Sequence, residues 1–211
     1  MFGTIDNKPL AILGNPNTGK TNLMVYLAIL NKYQKRYILG YPAQIEGFTN
    51  LNSLQDVAKI DHCVLCIDEI DEIIPFYENK QNASLKRLLK FAEHNKIKLI
   101  FTTQLSQFVN KMMEALVPQW AVTEIDIFSL KNGSKPKRIL TRSLKLPQYI
   151  NQEIGMRLEV GKFVWFNDYA EVGENGVYSF KNMNIGKDWS MTKSEKKEEI
   201  AEIQKKIQNE N

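Results

Sequence analysis

The chain has 211 residues, 43% of them hydrophobic and 25% charged, with 28 basic and 24 acidic side chains. That length holds one domain of generous size with a real core, and the apolar fraction together with a net charge of only +4 excludes a disordered chain. The longest strongly apolar run, Leu23 to Leu30, is far shorter than the roughly 20 residues of a membrane-spanning helix, and no basic stretch followed by an apolar one opens the sequence, so neither a spanning segment nor a signal peptide is expected.

Leu10-Ala11-Ile12-Leu13 is a short apolar run closed by Gly14, which predicts a buried strand. Thr21 to Leu30 predicts a helix, apolar nearly all round and therefore covered on both sides. Arg36 to Leu39 predicts a second strand, and Asn52 to Ala58 a short helix that Asn52 or Ser53 can cap. Cys63 to Ile67 is continuously apolar, as central parallel strands are. Leu85, Leu88, Leu89 and Ala92 make the helical stripe of an amphipathic segment from Ala83 to His94. Lys98 to Thr102 predicts the next strand, followed by a helix around Gln107 to Leu116. Strands alternating with helices imply an α/β core with a mostly parallel sheet.

From Trp120 the pattern changes to short β-like runs: Ala121 to Phe128, Arg138 to Ser143, Lys162 to Phe166 and Val177 to Phe180. These predict further sheet or an edge hairpin within the same domain, which spans residues 1–190. Residues 191–211 form a charged helix or tail whose only apolar stripe is Ile200, Ile203 and Ile207.

Two cysteines, Cys63 and Cys66, are three apart on a strand, which sends them to opposite faces. Buried, reduced thiols in an intracellular setting are expected, rather than a redox pair or a zinc site. His62 and His94 have no partner at metal-binding spacing. The charge is uneven. Lys131, Lys135, Lys137, Arg138, Arg142 and Lys145 share one stretch with no acid, leaving −2 on the rest of the chain.

Gly14-Asn15-Pro16-Asn17-Thr18-Gly19-Lys20-Thr21 matches G-x-x-x-x-G-K-[ST] in full, with a strand before it and a helix after. Its backbone N–H groups can curl around phosphate oxygens, Lys20 can meet the β and γ phosphates of ATP, and the Thr21 hydroxyl can ligate Mg²⁺. Asp68, at the end of an apolar strand, is placed to hold that Mg²⁺ through water, and Glu69 to deprotonate the attacking water. Asp71 and Glu72 fit a helix start. Gln104, ending Leu99-Ile100-Phe101-Thr102-Thr103-Gln104, can donate to the γ-phosphate and accept from the water.

The order Gly14 to Thr21, Ile67-Asp68-Glu69, a helix ending Phe91-Ala92-Glu93-His94-Asn95-Lys96, then Phe101-Thr102-Thr103-Gln104 resembles the FtsK/HerA superfamily of DNA-pumping ATPases. Within it, the small size is similar to the A32-like genome-packaging ATPases of viruses. The resemblance covers roughly residues 10 to 120. It implies a P-loop NTPase of the RecA-like/ASCE kind, a three-layer sandwich with extra C-terminal β-strands. It also implies a homo-oligomeric ring, pentameric or hexameric, that translocates double-stranded DNA, with a neighbour's arginine completing each ATP site. Such a motor would work in the host cytoplasm or at the packaging vertex of a virion, beside capsid or inner-membrane viral proteins.

The chain departs from the related enzymes where they often carry Arg-His before the Gln strand, since it has Glu93-His94. Among its five arginines, Arg36, Arg87, Arg138, Arg142 and Arg157, Arg87 is the first choice for the trans residue and Arg142 the second. DNA contact is expected at Lys131, Lys135, Lys137 and Arg138, in a Gly- and Pro-interrupted basic loop, although lysines also protect exposed strand edges. Two other readings stay open. An AAA+ helicase loader would share Gly19-Lys20-Thr21 and Ile67-Asp68-Glu69-Ile70-Asp71, but should carry a helical lid where this chain is β-rich. A phage morphogenesis ATPase like the zonula occludens toxin usually adds a membrane segment.

Overall fold

The structure, a computed structural model, describes residues 8–74, 79–104, 116–125, 150–151, 155–158, 161–167, 176–183 and 185. In chain order the elements of the first half are β1 (Leu10–Gly14), α1 (Lys20–Ile29), β2 (Arg36–Leu39), β3 (Thr49–Leu51), α2 (Leu54–Val57), β4 (Val64–Ile67), α3 (Ile70–Ile73), α4 (Asn79–His94) and β5 (Lys98–Gln104). They are followed by β6 (Gln119–Val122), β7 (Glu124–Ile125), β8 (Ile150–Asn151), β9 (Gly155–Arg157), β10 (Lys162–Asn167) and β11 (Gly176–Ser179).

Eight strands form one sheet in the order β11-β10-β6-β1-β5-β4-β2-β3. From β6 to β3 every pairing is parallel, while β10 and β11 add an antiparallel edge. This antiparallel edge is built from two of the expected β-like runs, Lys162 to Phe166 and Val177 to Phe180. A second sheet, β7-β9-β8, is small and antiparallel.

Side-chain alternation along the buried strands makes two cores. Leu10, Ile12, Val64, Cys66 and Ile100 face α1 and join Leu23, Met24 and Leu27. Ala11, Leu13, Leu65, Ile67, Leu99 and Phe101 face the other way and join Val57 of α2, Ile70 of α3, and Leu85, Leu88 and Ala92 of α4. The result is the expected three-layer sandwich, with helices on both faces of a mostly parallel sheet. Helix α1 is covered as its composition requires until its end, where Ile29 and Leu30 are exposed. Arg36 closes that end by donating to the carbonyls of Ala28 and Ile29, at 3.1 and 3.4 Å.

Several boundaries differ from the sequence expectation. The run Ala121 to Phe128 is not one strand: it breaks at Thr123, whose N–H donates to the Leu13 carbonyl, and continues in the second sheet as β7. Strand β3, Thr-Asn-Leu, has no apolar run to announce it and exists through its pairing with β2. The expected short helix shrinks to Leu54–Val57, with Ser53 at its N-cap. The helix expected from Gln107 to Leu116, the run Arg138 to Ser143 and the tail 191–211 lie outside the described residues, apart from Leu116 itself. Among the described residues no helix is long and apolar enough to cross a membrane.

Cys63 and Cys66 are free, buried, and in opposite cores, as their spacing required. Burial pushes the Cys63 thiol up to about 12, with the Asp61 charge adding to the rise and Lys35 opposing it. Cys66 is raised too, first by burial and then by the Asp68 carboxylate. A solvated thiol is about one quarter thiolate at pH 8. Both thiols should therefore resist a disulfide reagent at pH 8 in the native protein and react together on addition of denaturant, as followed by absorbance of the released chromophore.

Candidate nucleotide site

Strand β1 delivers its chain straight into the phosphate loop. Gly14 ends the strand, Asn15 to Gly19 form the turn, and Lys20 and Thr21 begin α1. Gly14 has no room for a side chain: a Cβ there would lie 2.0 Å from Thr123 Oγ1 and 2.6 Å from Thr18 Oγ1. Gly19 sits at φ +82, the left-handed region, where the chain turns into the helix. The Thr18 hydroxyl lies 2.8 Å from the Asn15 carbonyl and 2.7 Å from Thr123 Oγ1. Thus Thr123, just past β6, braces the loop from one side. Lys20 is 6% exposed, and its Nζ donates to the Asn15 carbonyl at 2.9 Å, which holds the ammonium inside the loop's curve.

On the other side of β1 lies β5, and beyond it β4. Val64, Cys66 and then Asp68 share the face toward α1, so the carboxylate at the end of β4 meets the start of that helix. The Thr21 hydroxyl lies 3.0 Å from Asp68 Oδ1 and 3.1 Å from Oδ2. A hydroxyl and a carboxylate converging in this way suit a hard cation, which prefers oxygen ligands and takes few of them from protein when substrate phosphates supply the rest. Thr21 and Asp68 therefore fit Mg²⁺. No group of three or more acidic, His or Cys side chains among the described residues is arranged to hold a metal ion by itself, and such a shared site does not need one.

Thr102 of β5, completely buried, ties the acids together. Its hydroxyl donates to Asp68 Oδ1 at 2.7 Å and accepts the Glu69 N–H at 2.7 Å. Glu69 itself has φ +49, a conformation that costs a non-glycine residue about 1–2 kcal/mol. An extended Glu69 would project away from the face that carries Asp68. The left-handed turn ends the alternation, and Glu69 Oε1 comes to 3.3 Å from Gln104 Nε2. Gln104 is the last residue of β5 and pairs in register with Gly14, so the amide lies level with the loop's first glycine.

Loop, Asp68, Glu69 and Gln104 thus meet at one edge of the sheet. Arg87 does not join them: it is exposed on α4 and forms no hydrogen bond or ion pair among the described residues. Arg36 is engaged at the end of α1. Asp71 and Glu72 do start a helix, α3, although Asp71 Oδ1 is buried without a hydrogen-bond partner among the described residues. Arg142 and the basic candidates Lys131, Lys135, Lys137 and Arg138 lie outside the described residues. Sequence reasoning passed over Thr102 and Thr123. Thr102 carried a signal, since a hydroxyl two residues before Gln104 shares its face of the strand; Thr123 carried none.

Replacing Thr102 by valine keeps the shape and leaves a buried carboxylate oxygen and the Glu69 N–H each short of a partner. The Glu69 N–H, left unpaired, should cost about 1–3 kcal/mol, while Asp68 Oδ1 keeps the Thr21 hydroxyl. Urea unfolding is expected to show the loss for Thr102→Val and most of it recovered in Thr102→Ser.

The sequence matches the ATPase family associated with various cellular activities (AAA) over residues 10–123, more than half of the chain. No curated protein matches it. Solved structures share the fold. The genome packaging NTPase B204 of Sulfolobus turreted icosahedral virus 2, in complex with AMP, aligns with a TM-score of 0.55 at 14% identity over 86% of this chain and 100% of that one. The DNA-packaging ATPase B204 of Sulfolobus turreted icosahedral virus aligns with a TM-score of 0.50 at 15% identity, over 84% and 98%. The N-terminal domain of zonular occludens toxin from Neisseria meningitidis reaches only 0.48 at 12% identity, over 84% and 96%, too slight a likeness to argue from. At these identities the likeness speaks for the fold, and the P-loop NTPase fold expected from the resemblance is present. The family match ends at Thr123 and so covers the core with its loop, acids and strand-end amide. The chain belongs to the AAA family of ATPases, and it is an ATPase.

Proposed function

We propose that the chain is the ATP-hydrolysing subunit of a motor that moves double-stranded DNA, with packaging of a viral genome into its capsid as the task. One observation carries the reading: Thr21, Asp68, Glu69 and Gln104 converge at the phosphate loop of a fold shared with genome-packaging NTPases. Lys20 and the loop N–H groups bind the phosphates, and Thr21 with Asp68 hold Mg²⁺. The cation, when bound, offsets charge on the phosphate oxygens. Glu69 takes the proton of the attacking water. Gln104, already within reach of the Glu69 carboxylate, orients that base and meets the terminal phosphate, so it links the state of the nucleotide to the readiness of the base.

The subunits form a ring, pentameric or hexameric. Arg87, exposed on α4, is the side chain that would reach a neighbour's phosphates, as an arginine supplied in trans does. Lys131, Lys135, Lys137 and Arg138 contact DNA phosphates, independent of base sequence. Capsid or inner-membrane viral proteins would anchor such a ring at a packaging vertex. The AAA match favours a second reading, a helicase loader, in which ATP turnover responds to a partner helicase or to single-stranded DNA.

ATP hydrolysis with and without double-stranded DNA separates the two. Stimulation by duplex DNA is expected in the wild type, while Glu69→Gln should bind ATP and turn it over at least about 100-fold more slowly. Absence of hydrolysis under every condition would sink the motor, and stimulation only by single strands or a helicase would establish the loader. Replacing Lys131, Lys135, Lys137 and Arg138 together by alanine should weaken duplex binding and flatten the slope of log affinity against log salt by about 3–4.

A further inference from the structure

On the side of β1 away from the acids, the chain returns to the phosphate loop. Residues 180–183 follow β11 and run against α1, where Asn22, the residue after Thr21, clamps them. The Asn22 amide donates to Asn182 Oδ1 and to the Met183 carbonyl, the latter at 3.1 Å, and its oxygen accepts the Met183 N–H at 3.1 Å. Asn22 is 1% exposed, so its hydrogen bonding is used inside the protein, on holding this segment to the first turn of the helix. A little further along, the Tyr41 hydroxyl donates to the Ile185 carbonyl at 2.8 Å.

The clamp fixes Phe180. Its ring centroid lies 6.2 Å from that of Tyr26 and 6.0 Å from that of Phe163, and a Cβ built on Gly19 would come 3.5 Å from Phe180 Cζ. A half-buried aromatic ring therefore stands against the last glycine of the loop, one residue before Lys20.

Strand order gives the nucleotide a direction. Asp68, Glu69 and Gln104 lie on the β5 and β4 side of β1, whereas β6, β10 and β11 lie on the other. A triphosphate whose terminal group meets Glu69 and Gln104 lays its phosphates along the loop, and its sugar and base emerge on the side away from the acids. We propose that Phe180 is the stacking platform for the base of the bound nucleotide, held in place by the Asn22 clamp. This rests on the ATP-binding reading of the loop given above. Stacking uses a face that every base has, so Phe180 adds affinity for a nucleoside triphosphate over bare triphosphate without selecting among bases.

Calorimetric titration of the full chain with Mg-ATP and with inorganic tripolyphosphate tests this, with a thermal melt for each variant. Phe180→Ala and Phe180→Leu should weaken ATP binding about tenfold and leave tripolyphosphate within about twofold. Phe180→Trp should restore ATP affinity, and its added fluorescence should be quenched by ATP but not by tripolyphosphate. Equal losses for both ligands would assign Phe180 a packing role under Gly19 and overturn the proposal, as would full ATP affinity in Phe180→Leu. Wild type that binds tripolyphosphate but not ATP, or neither, would overturn the nucleotide reading itself and this inference with it.

Discussion

The hydroxyl of Thr102 is the point on which the geometry of this sheet edge turns. It donates to the Asp68 carboxylate and accepts the Glu69 N–H, so one buried side chain on β5 fixes two successive residues that leave β4. The second bond joins two others, from the Glu72 N–H to the Glu69 carbonyl and from the Gln104 amide to the Glu69 carboxylate, in holding Glu69 in its left-handed turn, a conformation that a glutamate does not take by preference. With it, adjacent acids that a strand would have sent to opposite faces lie at the same edge. Asp68 stays with Thr21, and Glu69 comes round to Gln104. The strain is kept because the surrounding hydrogen bonds over-determine the turn.

The parallel sheet makes this possible by putting β5 between the loop strand and the acid strand. Each of the three brings its C-terminal end to the same edge, so a loop, a carboxylate pair and an amide that are distant in sequence meet within a few ångströms. On the opposite flank Thr123, just past β6, braces the loop, and the chain after β11 is clamped to α1 through Asn22. The phosphate loop is thereby held from both sides, by the contact of Thr21 with Asp68 on one and by hydroxyl and aromatic contacts on the other. Such bracing suits a loop that must present its N–H groups in one geometry, because disorder there would have to be removed again on each binding event.

Much of this was legible in the residues. The G-x-x-x-x-G-K-T match, the apolar run into Asp68 and Glu69, and the strand ending in Gln104 each sit where their patterns placed them. The three-apart cysteines lie in opposite cores because strand alternation is a local property that no packing overrides. Local patterns failed where an element exists only through its partners. Thr-Asn-Leu is a strand because β2 lies beside it. Thr123 interrupts a β-like run because its hydroxyl and N–H reach the loop and β1, residues more than a hundred positions earlier.

The sequence by itself determined the fold class, the nucleotide loop and the identity of the acids, since each depends on short-range order: apolar period, glycine spacing, and a carboxylate at the end of a buried run. Tertiary structure alone decided which groups touch. The Glu69 to Gln104 hydrogen bond, the double role of Thr102 and the return of Phe180 to Gly19 all join parts of the chain that no periodicity relates. Strand order and a single backbone turn set those distances, and neither is written in the pattern of any one segment.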